Sequence, residues 1–367
     1  MQRTTRNFIA TILQCALCIV LIAASLAMLV SGGSVASDAS PWLGLPAMAD
    51  AGLPGDRSLQ IELGRQLFQD PILAADRVTT CATCHVPEHG FTVNNIPTAT
   101  GRGGIILPRN APSLLNVGLA KSFFRDGRIL SLEEQVWGPL LNPDEQANSS
   151  IEQVMARLEA SAAYDRAFKS AFAGQRIAKD LIGAALAAYE RSLVAGGSPF
   201  DRWYFGNDNA ALTPDARAGF GVFQASGCGQ CHSIERGFAS FSDDSYRNTG
   251  IEWARINGQL GPLKAISDLG RYAVTGREAD RYSFRVPTLR NVALTFPYMH
   301  DGSLTTLREV IDFYDSGSGN DSKRDTNLRR LNLSEQQKLE LIAFLESLSS
   351  GNAEVLVKKA REPFANR

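Results

Sequence analysis

The chain has 367 residues, with 37 lysines and arginines against 38 aspartates and glutamates, for a formal charge of −1. This length exceeds what one hydrophobic core usually supports, so we expect about two domains. The near-neutral charge disfavours a nucleic-acid-binding protein, and the composition is otherwise typical of a globular chain.

The first predicted element is an export signal over residues 1–36. Arg3 and Arg6 precede an uncharged, apolar run that ends in small residues before Ala36. Cleavage after Ala36 fits, but the run is also long enough to span a bilayer, so this segment is either a signal peptide or a retained membrane anchor. In both cases we expect the rest of the chain in the periplasm, either free or tethered to the inner membrane.

Every cysteine outside this leader lies in a Cys-x-x-Cys-His motif, "CATCH" at 81–85 and "CGQCH" at 228–232. A shared zinc would need the two pairs within about 20 residues, whereas attachment of a c-type haem uses all three positions of each motif. The paired thiols bind the porphyrin and the next histidine coordinates the iron. We therefore predict two covalent haem c groups, with thiols Cys81, Cys84, Cys228 and Cys231 and iron ligands His85 and His232.

His89 follows the first motif closely. Four residues make about one helical turn, which leaves His89 on the side of the iron that His85 already occupies. We therefore expect a loop histidine rather than a second ligand. The first iron then has no histidine partner in its local sequence, and an open face admits peroxide or oxygen.

Helical segments repeat around the two motifs. Gly64 and Phe68 precede the first motif as Gly219 and Phe223 precede the second, each pair at i, i+4, where the glycine allows another helix to approach. Each half also closes with an apolar helix, predicted over 180–194 and from Ser334. The order of helix, motif, loops and helix predicts a mainly α fold of two cytochrome c-like domains, 37–205 and 206–367.

A further helix is predicted after the capping box of Thr306 and Glu309. Its apolar spacing turns Tyr314 inward together with Leu307 and Ile311. On periodicity alone Tyr314 is more often a core tyrosine than an iron ligand, and Met299 is an equally good candidate for the second iron.

Several blocks resemble the bacterial dihaem cytochrome c peroxidase and MauG superfamily. They are "ELGRQLFQDPIL", "PRNAPSLLNV", "RDGRILSLEEQVWGPLLNPDE" and "FRVPTLRNVALTFPYMHDGSLTTLREVIDFY", in this order around the two motifs. The resemblance implies an N-terminal haem that reacts with peroxide and a C-terminal haem that transfers electrons.

The resemblance also implies roles for individual residues. Tyr314 becomes the distal ligand of the second haem, where classical peroxidases have methionine. Gln135, Pro139 and Glu145 fall in the pocket over the first haem, where a carboxylate can move the proton that peroxide cleavage requires. The amide of Asn110 and the backbone carbonyls of Thr295 and Pro297 match a calcium site, a suitable set of hard oxygen ligands.

Two positions depart from the family pattern. Arg125 stands in "FFRDGR" where the family usually has a tryptophan between the haems, and neither Phe123 nor Phe124 is as easily oxidised as tryptophan. Ser226 replaces a tryptophan that MauG carries near its second haem. Transfer of oxidising equivalents to a docked protein along that route is therefore not supported.

The leading interpretation is a periplasmic dihaem peroxidase or oxidase. It would reduce hydrogen peroxide at the N-terminal haem with electrons relayed through the C-terminal haem from a small cytochrome c or cupredoxin. An alternative is a MauG-like enzyme that oxidises side chains of a protein substrate. A third, non-enzymatic alternative is a dihaem electron-transfer cytochrome with both irons six-coordinate, which the low histidine count disfavours.

Overall fold

The computed structural model describes residues 40–48, 54–258 and 267–364, so the predicted leader lies outside the described residues. Helices dominate these ranges, which confirms the mainly α prediction. Within them, no helix combines the length and the apolar character needed to cross a membrane.

Among the described residues, the first half contains seven α-helices joined by long loops. They are α1 Arg57–Gln69, α2 Cys81–Cys84, α3 Leu132–Gln135, α4 Trp137–Leu141, α5 Ile151–Glu159, α6 Ala162–Ala171 and α7 Lys179–Ser192. Short 3-10 turns lie at Pro71–Leu73, Pro87–His89, Arg102–Gly104 and Val117–Leu119.

The described part of the second half adds seven helices and one small antiparallel sheet. The helices are α8 Pro199–Tyr204, α9 Pro214–Ala225, α10 Ile251–Ile256, α11 Tyr272–Thr275, α12 Leu307–Asp315, α13 Glu335–Glu346 and α14 Ala353–Ala360. Strands β1 Tyr246–Arg247 and β2 Phe284–Arg285 pair with Tyr246 opposite Arg285. The 3-10 turns are Cys228–Gln230, Glu278–Asp280 and Val292–Leu294.

Close helix crossings organise both cores, as the repeated glycines predict. A Cβ placed on Gly64 would lie 1.9 Å from the Ala185 carbonyl oxygen, and one on Gly219 would lie 1.9 Å from the Glu340 carbonyl oxygen. Any side chain would force α1 from α7 and α9 from α13, so the prediction of a close approach at both glycines is confirmed.

Side-chain caps fix where several helices of the second half begin. Thr306 and Ser334 each form a complete capping box, with Glu309 and Gln337 respectively. Thr213 accepts a hydrogen bond at the start of α9. These contacts satisfy backbone N–H groups that a helix leaves unpaired in its first turn, and both predicted capping boxes are confirmed.

The closing helix of the first half is slightly shorter than predicted, ending at Ser192 instead of residue 194. The reason is tertiary, because the backbone N–H of Asn116 binds the Leu193 carbonyl and the Asn116 side chain accepts from the Ala195 N–H. These bonds replace the helical ones.

Two large clusters contain most of the clustered buried apolar side chains among the described residues. The first draws on residues 63–195 and also on Leu356 and Ala360 of α14, so the C-terminal helix packs on the N-terminal half. The second lies within 200–348 and centres on the aromatic rings of Phe200, Phe223 and Phe344. The boundary between residues 205 and 206 stays a prediction.

Candidate functional site

The first motif lines a cavity of about 770 Å³, whose wall also includes residues of the second half such as Glu252 and His300. Cys81 and Cys84 form α2, whose start is held by a capping box between Thr80 and Thr83. Both thiols are free and both face the cavity with His85. The helical turn thus brings the three chemically active side chains of the motif to one wall.

The imidazole of His85 is oriented by the backbone. Its Nδ1 lies 3.1 Å from the Phe91 carbonyl oxygen. Because a carbonyl only accepts, Nδ1 carries the proton and Nε2 keeps its lone pair for an iron. Burial lowers the pKa of His85, which also favours the neutral imidazole.

Glu145 lines the same cavity and is half-buried. It belongs to a turn in which the Asn142 side chain accepts from the Asp144 N–H at 3.0 Å and donates to Glu145 Oε1 at 2.6 Å. Burial raises the pKa of Glu145, although the hydrogen bond from Asn142 opposes the shift. The cavity therefore contains a carboxyl group that titrates above its ordinary range.

Of the other residues that the sequence analysis considered near the first iron, two line the cavity and one does not. Gln135, at the end of α3, and Pro139, in α4, line the cavity with Glu145. His89 is not among the residues that line it, and its buried Nδ1 has no hydrogen-bond partner in the described part of the chain.

The second motif lines a separate cavity of about 340 Å³. Its thiols, Cys228 and Cys231, are also free. His232 repeats the geometry of His85, since its Nδ1 lies 2.9 Å from the Phe241 carbonyl oxygen. Its Nε2 is therefore likewise available to an iron.

Both candidates for the distal side of the second iron line this second cavity. Tyr314 projects from α12, and Met299 lies in the loop before that helix. Burial raises the pKa of the Tyr314 phenol. Tyr314 as the distal ligand stays a prediction.

The two cavities share a wall. Arg125 and Phe124 line both, whereas Phe123 lines only the first and packs with Leu132 and Ala187. The guanidinium of Arg128 lies 3.5 Å from the centre of the Phe124 ring. A cation over the ring makes its oxidation harder, so Phe124 is a poor substitute for tryptophan.

Arg125 binds the residue assigned to calcium. Its Nη2 donates to Asn110 Oδ1 at 2.9 Å, and both Nε and Nη2 lie 3.4 Å from the Asn110 carbonyl oxygen. Burial, together with the nearby charges of Arg285 and Arg109, lowers the pKa of Arg125 to about 10, so it remains a cation at neutral pH.

The predicted calcium ligands come together only in part. Asn110, Thr295 and Pro297 all line the second cavity. However, this set has no carboxylate, and its amide oxygen already accepts from a guanidinium. No group of three or more acidic, histidine or cysteine side chains within the described ranges could hold a metal ion. The contacts of Asn110 therefore do not fit a calcium ion well.

Buried charges around the wall escaped the sequence analysis. Arg109 bridges Asp126 and Asp268 at 2.7 and 2.6 Å, and Glu252 lies 3.2 Å from His300 Nε2. Although burial opposes it, hydrogen bonds from Arg255 and His300 lower the pKa of Glu252 to about 2. These partners are far apart in the chain, and their spacing carries no local signal.

Glu190 is a second missed residue, and here the sequence holds a signal. It lines the first cavity, is 6% exposed, and its Oε2 has no partner in the described part of the protein. Burial raises its pKa to about 8. It follows Ile182 and Leu186 at helical spacing, so an acidic residue on the buried face of α7 was visible in the sequence.

Each site fits a covalently attached haem. Each offers two free thiols, a following imidazole oriented through Nδ1, and a cavity at that wall. A buried donor without a partner in the described part of the chain, Arg285 Nε, belongs to a residue of the shared wall and suits a carboxylate of such a group.

Comparison with known sequences gives consistent matches. Residues 58–209 match the family described as di-haem cytochrome c peroxidase. The chain is 38% identical over 300 residues to the methylamine utilization protein MauG of Methylorubrum extorquens, covering 81% of this chain and 80% of that protein. It is also 38% identical over 254 residues to the cytochrome c551 peroxidase of Nitrosomonas europaea, covering 68% of this chain and 71% of that protein.

Solved structures agree. A MauG-like protein associated with microbial copper homeostasis matches with a TM-score of 0.73 and 29% identity, covering 86% of this chain and 95% of that one. The diheme peroxidase BthA from Burkholderia thailandensis matches with a TM-score of 0.67 and 25% identity, covering 83% and 89%.

Proposed function

The chain belongs to the dihaem cytochrome c peroxidase family, which includes relatives named MauG, and from this premise we propose that it reduces hydrogen peroxide in the cavity of Glu145. It is a haem-dependent oxidoreductase of the peroxidase type with two haem c groups. The alternative of a non-enzymatic electron-transfer cytochrome is therefore set aside.

One observation carries the assignment of peroxide to the first cavity. His85, oriented by Phe91, and Glu145, a carboxyl with a raised pKa, line the same cavity. The other histidine that lines it, His300, has its Nε2 3.2 Å from Glu252. A proton-transfer group beside an iron site suits a reaction centre rather than an electron relay.

The residues of this cavity divide the work. Bound haem, held by Cys81, Cys84 and His85, supplies the redox chemistry. Glu145 accepts a proton from one oxygen of hydrogen peroxide and delivers it to the other oxygen. The oxygen that receives the proton then departs as water. Asn142 holds Oε1 of the carboxylate during this transfer. Two electrons and two protons per peroxide complete its conversion to two water molecules. Gln135, which lines the same cavity, would hydrogen-bond the peroxide.

Electrons reach the first cavity through the second. There, Cys228, Cys231 and His232 would hold the second haem, with Tyr314 as its distal ligand. We propose a small cytochrome c or a cupredoxin as the donor. Oxidation of a protein side chain, as a MauG-like enzyme would perform it, is the second candidate and is favoured by Tyr314.

The remaining proposals concern place and organisation. The leader, residues 1–36, supports a periplasmic location, free or membrane-tethered, and the two hydrophobic clusters support domains that meet near residue 205. A calcium ion at Asn110, Thr295 and Pro297 remains a prediction of the family resemblance that the contact with Arg125 does not favour.

Replacement of Glu145 tests the proposed function. In the dihaem protein, we expect Glu145→Gln to lower kcat/KM for peroxide by about 10²-fold or more, because the amide cannot accept the proton. Glu159→Gln, at an exposed position of α5, is the matched control. Haem content and the ferric spectrum of both variants should equal those of the wild type. Wild-type turnover by the Glu145 variant would contradict the assignment.

A further inference from the structure

Arg125 is held rigidly between the two cavities. Its carbonyl accepts from the Arg285 N–H of strand β2 at 2.8 Å, which fixes the backbone beside the sheet. The side chain lines both cavities, and its guanidinium contacts Asn110.

The orientation of Asn110 is determined independently of Arg125. Asn110 is 3% exposed, its Nδ2 donates to the Pro97 carbonyl at 3.0 Å, and its backbone N–H donates to the His300 carbonyl at 2.7 Å. Since Nδ2 is committed to Pro97, Oδ1 must face Arg125. The amide is therefore built to accept from a cation at this point.

The charge of Arg125 is not balanced by a carboxylate in direct contact. Arg109 and Arg285, its neighbours, pair with Asp268 and Asp244 respectively. No ion pair within the described ranges includes Arg125. Asp301 acts on this cation only through its charge, without a direct contact. A buried cation that no carboxylate contacts is costly unless an anionic group meets it, and Arg125 lines both cavities.

We propose that Arg125 is a fixed cation shared by the two haem cavities, which occupies the position beside Asn110 in place of calcium and raises the reduction potentials of both haems. The inference rests on the proposed function because it requires a haem in each cavity. A guanidinium keeps its charge throughout the cycle and stabilises the reduced, less positive state of each iron. Arg125 acts as a positioning residue on both cofactors and takes no part in proton transfer.

Redox titration of the dihaem protein tests the potentials. In Arg125→Gln, we expect both midpoint potentials to fall, with the equilibrium constant for reduction at least tenfold lower, a shift of ~59 mV for one electron. Arg125→Lys keeps the charge and should recover most of this shift. Arg277→Gln, which removes an arginine that is 71% exposed, is the matched control and should change neither potential.

Metal analysis tests the occupant of the site. Wild-type protein dialysed against calcium and then gel-filtered should contain no stoichiometric calcium, and its ferric spectrum should not change with chelator. One calcium ion per chain that is lost in Asn110→Ala would overturn the inference. Unchanged midpoint potentials in Arg125→Gln would also overturn the inference. The same holds if the potentials of Arg125→Lys fall as far as those of Arg125→Gln.

The two proposals fail differently. Haem content and peroxide consumption are measured on the same samples as the potentials. If the wild type holds two haems and consumes peroxide while its midpoint potentials equal those of Arg125→Gln, only the inference about Arg125 is overturned. Loss of haem from the Arg125→Gln variant would be visible in the same spectra, and the Arg125→Lys comparison would then carry the test.

Discussion

At the scale of single residues, the most informative group is the carboxyl of Glu145, because burial and a hydrogen-bonding side chain shift its pKa in opposite directions. Burial raises its pKa and the Asn142 side chain opposes that shift by donating to Oε1. As the acceptor of the peroxide proton, Glu145 must start as the carboxylate. Activity should therefore be lost as pH falls through its raised pKa, at a higher pH than for an ordinary glutamate.

Substitution of Asn142 should move this limb of the pH profile. Asn142→Ala removes the donor that favours the carboxylate, so we expect the acidic limb of kcat/KM to rise by about one pH unit. Asn142→Asp keeps an acceptor for the Asp144 N–H but adds a second carboxyl, and should move the limb further. A limb that stays in place in both variants would show that Glu145 does not control the profile.

Glu190 makes stability depend on pH. Its pKa is about 8 in the folded protein, against an ordinary value of 4.5. The folded state thus binds the extra proton between these values, and stability falls as pH rises through this window. The free energy of unfolding of the wild type should therefore fall as pH rises from about 5 to about 8.5, whereas that of Glu190→Gln should not fall for this reason. The difference between the two proteins should shift in favour of the variant by on the order of 3 kcal/mol.

Thermal unfolding of the dihaem protein at both pH values measures this difference. Glu159→Gln serves again as the exposed control, and its difference in unfolding free energy from the wild type should be the same at both pH values. An equal effect of Glu190→Gln at pH 5 and pH 8.5 would mean that Glu190 is ionised in the folded state, with an ordinary pKa.

At the scale of elements, helix α9 offers a matched pair of glycines. Gly219 faces α13, whereas Gly221 is exposed and a Cβ there would have no neighbour within 4 Å. Gly219→Ala should lower the free energy of unfolding by several kcal/mol because the two helices must separate. Gly221→Ala should leave stability unchanged or raise it by up to ~1 kcal/mol, since alanine favours the helix. Equal melting temperatures for the two variants would contradict the close crossing.

At the scale of the whole molecule, the C-terminal helix stabilises the N-terminal half. Leu356 is 9% exposed in the first cluster, whereas its neighbour Val355 is 59% exposed. Arg65 donates to the Glu362 carbonyl at 2.7 Å, which ties α1 to the segment after α14.

Paired truncations in α14 test this connection. Leu356→Ala should lower the free energy of unfolding by roughly 2–3 kcal/mol. Val355→Ala should change it by no more than about 0.5 kcal/mol. Hydrogen exchange followed by mass spectrometry should show the loss of protection in α1 rather than in α9. Greater exchange in α9 would place the contribution of α14 in the second half instead.

Much of the framework follows from local patterns. The two Cys-x-x-Cys-His motifs predicted both cofactor walls, because attachment chemistry acts within five consecutive residues. The sequence also predicted the capping boxes of Thr306 and Ser334 and the close helix crossings at Gly64 and Gly219. Each of these features depends on spacing within one or two helical turns.

The chemistry between the motifs was decided by tertiary structure. Only packing brings Glu145 to the cavity of a motif sixty residues earlier, and the family resemblance, not its spacing, pointed to it. The contact of Arg125 with Asn110 joins two loops, and the amide is oriented by Pro97 and His300 from elsewhere in the chain. The sequence by itself thus determined which side chains can hold two haems. The tertiary structure decided which charges surround them, because burial and long-range contacts, rather than local spacing, determine the free energy of each charged group.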